Sequence, residues 1–517
     1  MHPSTTPPAG SLRVLFTVCL AAVILPLNFV SGAVATPAIA RELGGSAQAL
    51  SWITNAFMLT FGCFLMAAGA LADELGRKKV FVSGVSLFAL LSLLQAFSSS
   101  VLAIDLLRAA QGIAAAGALA GGGAALAQEF DGTARTRAFS LMGSSFGVGL
   151  AFGPFLAGVL IAHFGWRSVF LSATVIAALS LITGAAKMRE TRNPQASGID
   201  WPGTLSFTAM LALLTWALMD IPQSGLHSTR VLSQLGGAAL LLAVFVVIEL
   251  RVKKPMLDLS LFRYIRFIGV QALPLATGFC FVVLLVVLPM LFIGVTGLSE
   301  ERAGLMMMAL SLPMLIVPML AAWLTRWISA GVLCTSGLVI AAAGLGWLSQ
   351  AVLAQNLTGM IAPMVVIGIG TGLPWGLMDG LSVSVVPTER AGMATGIFST
   401  TRVAGEGISL AIVSAIVSAL TRNALAAHFS SDAISSETIS QAAQRLATGN
   451  LSVTQQLIPQ ASTPQLQQLY AASLHPLLLC LMAITLFCAL VVLLALRGKP
   501  RASACSKSRK RAGGFPS

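Results

Sequence analysis

Charge is what this sequence has least of. Asp, Glu, Lys and Arg make up 9% of its 517 residues, against about a quarter in an average soluble chain. So few charges cannot cover a soluble surface, which excludes a water-soluble enzyme or binding module. Cysteine is equally sparse in meaning: Cys19, Cys63, Cys280, Cys334, Cys480 and Cys488 fall in apolar runs and Cys505 in a basic tail. None has metal-type spacing and no pair shares an outward loop, so a disulfide framework and a zinc site are excluded. No loop joins His, Asp, Glu and Cys at catalytic spacing, which argues against an enzyme. No G-x-x-x-x-G-K-[ST] loop is present, so ATP is not the expected energy source. The net charge of +13 is placed in short loops and in the tail Arg497 to Arg511, where it sets membrane topology and does not form a nucleic-acid patch. Nor is a cleavable signal expected, because the apolar run from Val14 to about Ala40 is too long for one.

What the chain has is apolar length. Hydrophobic residues are 56% of positions and mean hydropathy is +0.88. Cutting at charged or Pro/Gly/Ser-rich breaks leaves about fourteen runs long enough to span a bilayer as helices. An all-α polytopic membrane protein follows. The turn Gly69 to Lys79 separates two uncharged runs, Leu50–Leu71 and Val80–Phe97. Its Arg77, Lys78 and Lys79 assign it to the cytoplasmic side, and alternation then puts both termini there, in a plasma membrane of bacterial inner-membrane type. The expected division is a cytoplasmic N-terminus over 1–12, a six-helix bundle over 13–190, two extra helices over 200–252, a second six-helix bundle over 262–497 and a basic cytoplasmic tail over 498–517. Residues 421–472 form a long outward segment, amphipathic around Glu437–Leu446 and Leu466–Tyr470, expected as short helices that either cap or gate the outer mouth.

A weak internal repeat supports two parallel halves. Arg137-Ala138 with Gly143 in the fifth helix matches Arg390-Ala391 with Gly396 in the thirteenth, and the same register sets Gly149 opposite Arg402 and Gly153 opposite Glu406.

Five stretches carry a family resemblance. Gly69, Leu71, Asp73, Gly76, Arg77 and Lys78 resemble the loop signature G-x-L-a-D-r-x-G-r-k-x of the major facilitator superfamily, with Glu74 the departure. Arg108-Ala109-Ala110-Gln111-Gly112 matches its R-x-x-q-G pattern. Gly149-Leu150-Ala151-Phe152-Gly153-Pro154-Phe155-Leu156-Ala157-Gly158 is similar to the antiporter motif g-x-x-x-G-P-x-x-G-G of exporters, with Ala157 in place of a glycine. Glu249 to Arg263 and Glu389 to Gly396, with Arg402 and Gly405, are similar to junctions of the fourteen-helix drug:proton antiporter family. The resemblance implies a major facilitator fold of two six-helix bundles plus two additional central helices, and proton-driven export of drugs, toxins or amphipathic metabolites by alternating access. It makes Gly69, Asp73, Gly76, Arg77 and Lys78 a gating loop, and Gly149, Gly153, Pro154 and Gly158 the antiporter helix. The alternatives are a transporter of one metabolite or ion on the same fold, and a non-transporting membrane sensor.

The proton-coupling candidates are Asp105, Arg108, Asp379, Arg402 and Glu406. A guanidinium in hydrocarbon needs a partner or a wet cavity, so Arg108 is a site residue, with Asp105 at i−3 placed to neutralise it. Glu406 either exchanges protons beside Arg402 or forms a permanent ion pair with it. In the first helix, the family's acidic position holds Asn28, which binds by hydrogen bonds but carries no proton. Asn28, Gln111 and Trp375 are cavity candidates, with Phe279, Phe281 and Met306–Met308 as apolar lining. Asp220 is expected near a helix end at the membrane interface. The expected partners are a small amphipathic substrate, protons and the lipid bilayer, with no nucleic acid; no cofactor and no metal are expected, and the chain is expected to work as a monomer.

Overall fold

The computed structural model describes residues 9–130, 132–184, 188–192, 200–225, 228–252, 255, 257, 259–386, 391–429 and 434–496. The basic tail and the ends of two loops with expected roles, Lys253–Lys254 and Glu389–Arg390, lie outside the described residues.

Among the described residues, 14 helices are long and apolar enough to cross a bilayer. In order they are Ala9–Leu43, Ala47–Leu75, Arg77–Ala96, Val101–Glu129, Gly132–Phe164, Arg167–Gly184, Trp201–Ser224, Thr229–Arg251, Ile265–Val295, Glu300–Leu324, Ala330–Leu353, Ile361–Ser384, Ala391–His428 and Thr463–Leu496. They are called the first to fourteenth helices below. The ninth is interrupted by π-helical turns at Gly278–Val282 and Met290–Val295, behind Pro274 and Pro289; proline removes a backbone donor and such turns absorb the misfit. The chain is a multi-pass membrane protein.

The packing repeats. The first helix lies on the fourth, fifth and sixth, the second on the fourth, and the third on the fourth and sixth. The ninth lies on the twelfth, thirteenth and fourteenth, the tenth on the twelfth, and the eleventh on the twelfth and fourteenth. Two like six-helix bundles result. They meet along two seams, fifth against tenth and second against thirteenth. The register read from sequence is visible across this symmetry, because Gly153 faces Leu27 and Val30 of the first helix while Glu406 approaches Gly278 of the ninth.

The seventh and eighth helices pack on each other, and the seventh covers the seam between second and thirteenth. They are central in sequence and peripheral in space. Only 17% of the most apolar part of the eighth helix is buried in protein, so the rest faces lipid.

Helices run past the expected membrane limits wherever polar termini are capped. The fourteenth starts at Thr463, because Ser462 and Gln465 exchange hydrogen bonds, side chain to backbone N–H in both directions, and Pro464 fits the first turn. Much of the expected outward loop is therefore helix. The remainder holds two short helices, Ser436–Ala447 and Leu451–Leu457, the first opened by Ser435 accepting from the Thr438 N–H at 3.1 Å. The Leu466–Tyr470 stretch belongs to the fourteenth helix instead.

Candidate functional site

Two polar clusters sit inside the apolar bundles, one per half. In the first half Arg108 of the fourth helix is fully buried. Its Nε donates to the Ile53 carbonyl at 2.7 Å and its Nη1 to Gln111 Oε1 at 2.9 Å and to Asn28 Oδ1. The guanidinium lies 4.5 Å over the Phe57 ring, a favourable cation–π contact. Gln111 in turn donates to Ser92 Oγ at 2.7 Å and accepts from Gln95 at 3.2 Å. First, second, third and fourth helices are thus joined through one guanidinium.

Asp105 is not part of that joint. No ion pair links it to Arg108, and its buried Oδ1 has no hydrogen-bond partner. The expected neutralisation within the helix is replaced by uncharged acceptors from two other helices and from the next turn of its own. The sequence pointed to Asn28 and Gln111; Ser92, Gln95 and the Ile53 carbonyl had no signal beyond being polar groups on apolar helices.

In the second half Arg402 of the thirteenth helix donates from Nη1 to both oxygens of Asp379 on the twelfth, at 3.2 and 3.3 Å. Its guanidinium also faces Phe146 of the fifth helix, 5.6 Å from the ring centre, and Phe398 at 5.7 Å. Phe146 belongs to the other bundle, so this arginine touches both halves. Glu406 makes no ion pair with it: its side chain is 4% exposed and Oε1 has no partner. The expected permanent Arg402–Glu406 pair is absent. Asp379 keeps 48% of its side chain exposed.

The Gly–Pro stretch of the fifth helix uses its small residues on two faces. Gly149 lies against the Val23 carbonyl and Pro26, and Gly153 beside Val30 of the first helix. Gly158 meets the Glu300 carbonyl, while Pro154 lies against Gly304 of the tenth. A side chain at these glycines would push whole helices apart. The helix continues through Pro154.

The turn at Gly69–Lys79 marks what we call the basic face. Gly76 has φ +121° and separates the second and third helices, a conformation that favours glycine. Arg77 donates from Nη2 and Nε to Asp73 Oδ1 at 2.9 and 3.1 Å and from Nη1 to Gln128 of the fourth helix at 2.7 Å, while its backbone N–H meets the Thr191 carbonyl at 3.0 Å. Lys78 lies half-buried beside it. Gly69 differs from expectation, since nothing packs against it.

On the opposite face three contacts cross between halves: Arg41 with Glu300, Arg445 with the Gly45 carbonyl at 2.5 Å, and Gly158 with Glu300. Arg445 comes from the short helix Ser436–Ala447, so this segment is clasped to the other half.

Trp375 is 5% exposed and packs on Phe281, ring centres 6.2 Å apart; it is core between ninth and twelfth helices. Asp220 lies near the end of the seventh helix, as expected, and is buried there. It is 1% exposed and accepts from Gln48 at 2.9 Å, Gln234 at 2.8 Å and Arg230 at 2.9 Å, tying seventh, eighth and second helices. Sequence reading missed this cluster, because its members come from three helices and no spacing joins them.

The sequence and the fold match known proteins. The family model for the Major Facilitator Superfamily matches residues 17–410. Multidrug resistance protein Stp of Mycobacterium tuberculosis is 30% identical over 76% of this chain and 74% of its own length. Cephamycin export protein CmcT of Amycolatopsis lactamdurans is 31% identical over 77% of this chain and 83% of its own. Among solved structures, a bacterial homologue of the human lysosomal transporter Spinster, inward-facing and occupied, aligns with TM-score 0.61 at 15% identity over 96% of this chain and 98% of that one. The match over most of the chain shows its family: the chain belongs to the Major Facilitator Superfamily.

Proposed function

We propose that this protein is a proton-driven exporter of the fourteen-helix drug:proton antiporter family, moving amphipathic drugs, toxins or metabolites out of the cytoplasm by alternating access. The observation that carries the reading is Glu406, a buried carboxyl with a free oxygen one turn from an arginine that a second, half-exposed carboxylate already holds. Such a carboxyl is neutral when protonated in hydrocarbon, and ionises when an arginine turns to it. Arg402 can exchange Asp379 for Glu406 as the bundles rock, so proton release is linked to the change of face. The names of the relatives, which describe export and multidrug resistance, support the direction.

In this reading the basic face is cytoplasmic, in a bacterial inner membrane with both termini inside. The proton gradient supplies the energy without a cofactor, and one chain suffices. The Asp73–Arg77–Gln128 set latches the cytoplasmic side, and the Arg41–Glu300 and Arg445–Gly45 contacts close the outer one. Reconstituted protein with an imposed proton gradient should accumulate a fluorescent amphiphile in inside-out vesicles, and dissipating the gradient should stop it. Accumulation that persists without the gradient would overturn proton drive.

A further inference from the structure

Arg108 hydrogen-bonds to no charged group, although Asp105 lies close enough on the same helix to feel its charge. Every protein group that accepts from it is neutral: the Ile53 carbonyl, Gln111 Oε1 and Asn28 Oδ1. The nearest acid, Asp105, forms no ion pair with it. Two donors at the same place have no partner, Nη2 of Arg108 and Nδ2 of Asn28, on side chains that are both 0% exposed. They share one face of the first helix. Asn28 and Gly32 are one turn apart, and the Arg108 Nη2 edge lies beside Gly32, 3.1 Å from where a Cβ would stand. Only glycine leaves that edge clear. A buried guanidinium with a free edge beside an amide N–H₂ is arranged to grip two oxygens of one carboxylate or a similar anion. An unpaired charge inside a protein is costly until an anion joins it.

We infer that the Asn28–Arg108 pair is the anion-binding pole of the substrate site, selecting amphiphiles that carry a carboxylate or equivalent negative group. This deepens the export reading and rests on it. The anion's charge is met by Arg108, its second oxygen by Asn28 Nδ2, and its apolar body by the bundle around Phe57. An acid at position 28 would occupy the same guanidinium and repel the substrate. The asparagine therefore sets the sign of the preferred substrate.

The test compares two probes of like shape and opposite charge, naphthoate and naphthylmethylammonium, on the purified full chain in nanodiscs and in inside-out vesicles. Binding is read by intrinsic tryptophan fluorescence. The native protein should bind naphthoate more tightly, and Asn28→Asp should weaken naphthoate by about tenfold or more while strengthening the cation. Asp105→Asn, with a repelling charge removed, should bind naphthoate at least as well; a loss there would make Asp105 part of the pole and overturn the assignment. Gel filtration confirms that each variant is folded, and Asn28→Gln, which keeps the amide, serves if Asn28→Asp does not fold: its lengthened side chain should weaken naphthoate without strengthening the cation. Naphthoate binding that Asn28→Asp leaves unchanged, or a native preference for the cation, contradicts the proposal. Vesicle uptake separates the two readings. Accumulation of the cation by a protein that ignores naphthoate keeps export and removes the anion pole; naphthoate binding lost in Asn28→Asp, with no uptake of either probe, keeps the pole and removes export.

Discussion

Arg402 reaches past Glu406, its neighbour one turn along the thirteenth helix, and pairs with Asp379 on the twelfth at 3.2 Å. Helical side chains lean toward the N-terminus of their helix, and for Arg402 that is toward the basic face, where Asp379 lies. An arginine followed by an acid at i+4 is also the weaker order of a helical ion pair. The pairing therefore leaves Glu406 free for another partner.

That geometry separates the roles of the two acids. Asp379→Asn frees Arg402, so transport should persist with altered pH dependence, since Glu406 can still take and release a proton. Glu406→Gln removes the titrating group, and gradient-driven transport should fall at least tenfold while substrate still exchanges across the vesicle wall down its own gradient. Counterflow measured beside driven uptake distinguishes the two; loss of both in Glu406→Gln would point to a folding role.

The fifth helix should tolerate no side chain at its contact glycines. Gly153→Leu and Gly158→Leu place bulk against the first and tenth helices, which costs roughly 1–3 kcal/mol through overpacking. Thermal unfolding in detergent should fall accordingly. Gly69→Ala meets nothing within 4 Å and should keep its melting temperature.

Asp220 should matter to the extra helix pair more than its place near a helix end suggests. Asp220→Leu removes the acceptor that Gln48, Gln234 and Arg230 share, at a cost on the order of 1–3 kcal/mol. Limited proteolysis should then cut between the sixth and ninth helices first. Unchanged protection would mean that the seventh and eighth helices are held by apolar packing alone.

The clasps on the opposite face should set conformation, with little effect on stability. Arg41 is 63% exposed, and pairs so exposed contribute about 0–1 kcal/mol. Arg41→Ala with Arg445→Ala should leave unfolding nearly unchanged while lengthening spin-label distances between the two bundles at that face. An unmoved distance distribution would assign closure to the Gly158–Glu300 helix contact instead.

How much of this was legible in the sequence depends on how local each feature is. Helix number and the alternation of faces follow from run length and loop charge, which act within one segment. The Gly–Pro helix was readable because small residues at four-residue spacing form a face whatever lies opposite; which helices it meets was not. Arg108 was readable as costly in hydrocarbon, yet its acceptors come from two other helices and the next turn of its own, and displaced the i−3 acid that spacing suggested. The place of Asp220 near a helix end was readable but its burial was not, because burial there depends on what covers it, and Gln48 comes from a helix distant in sequence. Trp375 read as a lining residue and packs as core, a difference only tertiary contacts decide.

The measurement that tests the account most directly is proton movement in inside-out vesicles, followed with a pH-sensitive dye as substrate is added to native, Glu406→Gln and Asp379→Asn proteins. The account predicts substrate-triggered proton release from native vesicles, its loss in Glu406→Gln and its persistence in Asp379→Asn. Release undiminished in Glu406→Gln would contradict it and move proton coupling away from the Arg402 cluster.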